Sequence, residues 1–114
     1  MAKAQYPGPS DKFELYEAAV ARVEDLERKG ATMPYTSRNG HMTSFLDKEG
    51  SVAIRLSPDE REEFFSNYDS GVAVQYGREM KEFAVVPDSL LGDTVEFAGW
   101  LKRGNDWAGT LKPK

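Results

Sequence analysis

The chain has a single histidine, His41. Histidine is the side chain best suited to general acid–base work near neutral pH, but it needs a nucleophile or acid held beside it. Ser37, Ser44 and Asp47 are close in sequence, yet no nucleophile-elbow pattern accompanies them. A zinc or similar centre needs further histidine or cysteine ligands, and the sequence has no second histidine and no cysteine. His41 therefore reads as a surface residue of a hairpin. Acidic pairs occur at Asp59-Glu60, Glu62-Glu63 and Glu24-Asp25-Glu27. Such pairs do acid–base chemistry only when burial drives their pKa values apart, and these fall on helix faces that should be wet. Gly77-Arg78-Glu79-Met80-Lys81 has one glycine and two cations, not the repeated glycines of a phosphate cradle, and reads as a hairpin loop. No cofactor fingerprint and no metal set emerges, so the expectation is a non-enzymatic protein.

Arg55 has the strongest claim to a surface function. If Val52, Ile54 and Leu56 face the core, strand alternation puts Ala53 and Arg55 on the opposite face. The same alternation adds Phe45, Gln75, Ala84 and Val86, with Met42, Leu46, Val74, Tyr76, Phe83 and Val85 turned inward. A sheet covered by helices on one side would leave these residues as an open face around a guanidinium. Phe45, Ala53, Arg55, Gln75 and Ala84 are thus the candidate interface, and a homodimer through that face is expected. The plainer alternative pairs Arg55 with Glu82 on a solvated sheet. A second candidate site is a ligand pocket between the last helix and the sheet, using Tyr35, Tyr76, Trp100 and Trp107. A third reading, DNA binding through Arg78, Lys81 and Lys102, works against a formal net charge of −4, because duplex binding ordinarily leaves a basic footprint. Nucleic acid is therefore a disfavoured partner.

The elements that must position these residues are legible. Length fits one domain of 114 residues, with 1–10 as a lead-in broken by Pro7-Gly8-Pro9 and 11–114 as the domain. The N-terminus lacks the apolar stretch of a signal peptide. No run is long enough to span a membrane. A cytoplasmic location is the default.

Tyr16, Ala19, Val20, Val23 and Leu26 recur at helical spacing. They predict a helix over 13–29, capped at Ser10 or Asp11 and stopped at Gly30. Asn39-Gly40 is a tight-turn dipeptide, and strands are expected over 32–36, 41–47 and 51–56. Ser57-Pro58-Asp59-Glu60 starts a second helix with a capping box that runs to about Tyr68. Strands at 72–76 and 82–86 follow, then a short turn around Leu90. A last helix begins at Asp93, with a break expected near Gly104-Asn105.

Four segments carry a resemblance: Arg38 to Phe45, Val52 to Arg61, Gln75 to Phe83 with Val86-Pro87-Asp88, and Thr110 to Lys114. Over 30–114 the chain resembles the TfoX N-terminal domain family, itself similar in fold to YjbR-like proteins. The segment Ala31 to Thr36 departs from the Met-Phe-Gly-Gly motif common there, and the second domain of competence regulators has no counterpart in these residues. The resemblance implies an α+β two-layer sandwich, α-β(3)-α-β(2)-α, with one five-stranded antiparallel sheet. It implies no catalytic residues, and it tilts function toward a regulatory, protein-binding role.

Overall fold

The structure is a computed structural model and describes residues 6–24, 26–30, 32–75 and 77–113. The described elements are α1 (Ser10–Ala21), β1 (Tyr35–Arg38), β2 (His41–Leu46), β3 (Val52–Arg55) and α2 (Pro58–Asn67). They continue with β4 (Val72–Gln75), β5 (Arg78–Val86), α3 (Asp88–Leu91) and α4 (Thr94–Thr110). The strands form one antiparallel sheet in the order β1-β2-β3-β5-β4, so the α+β class holds.

Local chemistry accounts for the boundaries. Asn39 and Gly40 both adopt positive φ, 60° and 83°, the pair of left-handed residues that a two-residue hairpin requires. Ser57 Oγ accepts from the Glu60 amide while Glu60 Oε1 accepts from the Ser57 amide, each at 3.2 Å. That closes the expected capping box. At α4 only half of such a box forms, with Asp93 Oδ1 accepting from the Glu96 amide at 3.3 Å.

Two expectations about helices fail. α1 ends at Ala21 and not near Lys29. Beyond it the amides of Arg22, Val23 and Leu26 bond three residues back, a tighter winding that cannot continue far. Arg28 then folds back to Glu17 at 2.6 Å, and Lys29 pairs with Tyr35 as an isolated bridge. The second failure is the break expected at Gly104-Asn105: α4 runs through it without interruption. Gly104 is there because α4 lies directly on the backbone of β3 at that point, where any side chain would hold the two apart.

Helices cover one face of the sheet. Leu46, Val52, Ile54, Leu56, Ala84 and Val86 turn toward it and pack with Tyr16, Val20, Phe64, Leu91, Phe97 and Trp100. Within this layer Tyr16 Oη, Ser44 Oγ, Thr36 Oγ1 and Thr43 Oγ1 form a buried hydroxyl chain with links of 2.6, 2.5 and 2.7 Å. Burial, partly offset by the Ser44 bond, pushes the Tyr16 phenol up to about 12.

The parity assigned to β5 is reversed. Ile54 lies opposite Ala84 and Arg55 opposite Phe83, so Ala84 and Val86 face the helices and Phe83 and Val85 face away. Met42 also changes side. The β1–β2 register shifts between Thr36 and Ser37, and an extra residue in one strand inverts the alternation beyond it.

The face away from the helices is not open. Phe45, Ala53, Ala73 and Phe83 form a second buried cluster, flanked by Met33, Tyr35, Met42, Met80 and Val85. Its cover follows from the registers. Val72, Ala84, Ile54 and Ser44 lie in one row across the sheet. From that row β4 and β2 run in opposite directions. In a flat sheet Gln75 and Asp47 would stand roughly 20 Å apart along the strands and about 14 Å apart across them. Instead Gln75 Nε2 donates to Asp47 Oδ2 at 3.1 Å. The far part of the β4–β5 hairpin therefore folds back over the sheet. The turning point is the register break between Val72 and Ala73, where the partner jumps from Ala84 to Met80.

Candidate functional site

The folded-back arm, Ala73–Gln75 with Gly77–Met80, packs on the body through Ala73 and Met80 and leaves a gap beside its tip. Between it and the β2–β3 turn lies a cleft of about 450 Å³ lined by Thr32, Met33, Asp47, Glu49, Val74 and Gln75, among others. Asp47 organises one wall. Its Oδ1 accepts from the amides of Glu49 and Ser51 at 3.0 and 2.9 Å, and its Oδ2 accepts from Gln75. Its carbonyl oxygen accepts from Tyr6 Oη. Partial burial and the Asp47 charge together raise the Tyr6 pKa. With its oxygens already engaged, Asp47 positions the wall more than it offers a free ligand atom.

The other wall is β4, the last strand of the sheet on that side. It reads Val72-Ala73-Val74-Gln75 and contains neither charge nor proline, the usual devices that block an edge from pairing. Ala73 is buried on the arm's underside, whereas Val72 and Val74 are 37% and 55% exposed. The opposite edge, β1, is partly occupied by Lys29, whose amide and carbonyl bond Tyr35 at 2.8 and 2.9 Å.

The candidate interface residues are not assembled as an open surface. Phe45, Ala53 and Ala84 are 1%, 3% and 0% exposed within the chain itself, and Ala84 lies on the helix side. Gln75 is the arm's fastener to Asp47. Arg55 is held by three contacts. Its Nε donates to the Met42 carbonyl at 2.7 Å, its Nη1 pairs with Glu82, and its guanidinium stands 4.7 Å from the Phe83 ring centroid. This is the paired alternative, with a cation–π contact added.

The candidate pocket is likewise dispersed. Trp100 packs edge-on against Phe64 and Tyr68, and its Nε1 donates to Tyr68 Oη at 3.1 Å. Arg103 lies over the outer side of Trp100 at 4.3 Å and binds Glu63 through two nitrogens, at 2.9 and 3.0 Å. The arginine holds the Glu63 carboxyl below its usual pKa. Tyr35 belongs to the cluster on the other face of the sheet. Trp107 is half-buried on α4, and Tyr76 lies outside the described residues.

Of the cations considered for DNA, Arg78 and Lys81 stand on β5, whereas Lys102 stands on α4 and is tied to Asp106 at 2.7 Å. His41 Nε2 meets the Lys112 carbonyl at 2.9 Å, and Asn39 Nδ2 donates to the Leu111 carbonyl at 2.7 Å. This hairpin turn grips the end of α4.

Sequence reasoning missed Asp47, Met33 and Val74. The Lys48-Glu49-Gly50 turn after the strand ending at Asp47 was legible as a turn, but nothing local announces that a hairpin distant in sequence comes to rest on it. Among the described residues, no helix is long and apolar enough to cross a membrane. No family model matches the chain, and neither a curated protein nor a solved structure is found similar to it.

Proposed function

We propose that the chain is a protein-binding domain of regulatory type that docks an extended segment of a partner by strand addition to β4. The observation carrying this reading is an unguarded edge strand, with Val72 and Val74 exposed, bordering a cleft. An added strand draws affinity from main-chain hydrogen bonds, and its alternate side chains fill neighbouring depressions. The cleft suits an apolar side chain against Met33 and Val74. Its rim sets Asp47 and Glu49 against Lys48, and the chain's net charge is −4. The favoured segment is therefore apolar with a net positive charge.

The resemblance to the TfoX N-terminal domain family supports the regulatory part of the reading, and the absence of cysteine fits work in the cytoplasm. The sheet-face homodimer is recast: a second copy would meet β4 and not the buried face.

The test is a selection of extended basic–apolar peptides on the wild type, followed by amide shift mapping of the winners. Shifts confined to β4 and the cleft, abolished by backbone N-methylation of the peptide, support strand addition. Shifts elsewhere, or binding that survives N-methylation, refute it. A concentration-dependent doubling of mass by light scattering, lost in Val74→Lys, would identify a second copy as the occupant instead.

A further inference from the structure

The way the arm is attached sets it apart from the rest of the sheet. Residues Phe83–Val86 of β5 pair with β3, whereas Arg78–Met80 pair only with β4. The arm's strand pairs, Ala73 with Met80, Val74 with Glu79 and Gln75 with Arg78, are internal to it. Lifting it would leave these bonds intact and would leave β3–β5 intact as well. Among the described hydrogen bonds, the fastener to the body is that from Gln75 to Asp47.

The base is held firmly. Arg61 Nη1 donates to the Lys81 carbonyl, Glu82 pairs with Arg55, and the Val85 amide bonds the Gly71 carbonyl at 3.0 Å. A firm base beside a lightly fastened tip is the arrangement of a hinge. Ala73 packs closely on Phe45, Ala53 and Phe83 at the base of the arm. Beside the tip a cleft of about 450 Å³ remains, and the buried cluster is flanked by Met33, Met42 and Met80, unbranched side chains that repack readily.

We infer that the arm is a lid, hinged where β4 and β5 break register, that opens without unfolding the sheet and uncovers the Phe45–Ala53–Phe83 face. This depends on no particular occupant of the cleft. It places a second apolar surface, hidden in the closed form, beneath the edge strand.

The chain has no cysteine, so a thiol placed under the lid reports opening cleanly. Ala53→Cys sits beneath the arm. Ala84→Cys, equally buried but on the helix side, reports only deeper unfolding. The expected result is labelling of Ala53→Cys by a thiol reagent at least ~10-fold faster than Ala84→Cys, as for local opening below the global limit. Adding Gln75→Ala should speed the first by roughly 10-fold, in keeping with loss of a bond to a carboxylate, and leave the second unchanged. If Ala53→Cys does not fold, Ala73→Cys on the arm's underside takes its place. Equal labelling on the two faces, or acceleration of both by Gln75→Ala, would overturn the lid.

Discussion

A Cβ built on Gly104 would stand 2.1 Å from the carbonyl oxygen of Arg55 and 3.6 Å from Leu56 Cδ2. Glycine is what lets the longest helix rest on the central strand of the sheet. The expected effect of Gly104→Ala is a loss of about 1–3 kcal/mol from overpacking against backbone that cannot yield, although alanine is the better helix former. Gly99 on the same helix has open space around its Cβ position, so Gly99→Ala should raise stability by about 0.5–1 kcal/mol. Opposite shifts of the two urea midpoints would separate close approach from helix propensity.

Tyr16 gives a pH dependence with a definite sign. Its folded pKa is raised from 10.0 to about 12, so the folded state holds the proton more tightly than the unfolded chain. The contribution is complete below pH 10 and is lost as pH rises from 10 through 12, a total of about 2–3 kcal/mol. Tyr16→Phe should lose about 1 kcal/mol at neutral pH with the Ser44 bond and then show a flatter alkaline limb. A limb as steep as the wild type's in that variant would place the titration elsewhere.

Arg55→Glu should destabilise the fold without changing the mass of the protein in solution. It would set a second carboxylate beside Glu82, strip the Met42 carbonyl of its donor and remove the cation over Phe83, for a loss of about 1–3 kcal/mol. Arg55→Met keeps the apolar stem and should lose less, since Glu82 is 43% exposed and can be hydrated. Light scattering alongside urea titration checks both statements. A change in mass at full stability would return Arg55 to the role of an interface residue.

Ser57→Ala removes half of the capping box on α2 and should lower stability by about 1 kcal/mol. Ser57→Asp, which can still accept from the Glu60 amide, should recover most of it. Thermal midpoints of the three proteins are sufficient.

Local signals were read well where local chemistry decides. The Asn39-Gly40 turn, the Ser57 cap and the number of strands follow from neighbours within a few residues, whereas Arg78 to Lys81, expected in a loop, begins β5. Parity failed at Phe83-Ala84-Val85-Val86, because an apolar run has no alternation and only pairing with β3 selects a face. Met42 failed for a related reason: a one-residue bulge is silent in sequence yet inverts every side chain past it. The candidate site was the least legible part. It depends on Gln75 meeting Asp47, a contact made only after the hairpin bends, and no short-range pattern encodes that bend.

The sheet order has a kinetic consequence. β1, β2 and β3 join by short turns, as do β4 and β5, whereas β3 and β5 meet with α2 and β4 between them in the chain. That seam must close a long loop before any contact rewards it, so it is the natural bottleneck of folding. Substitutions at Ile54 or Ala84 would then slow refolding, whereas those at the arm's tip would chiefly hasten unfolding. The speed of assembly and the lifetime of the assembled protein would thus be set at opposite ends of one hairpin.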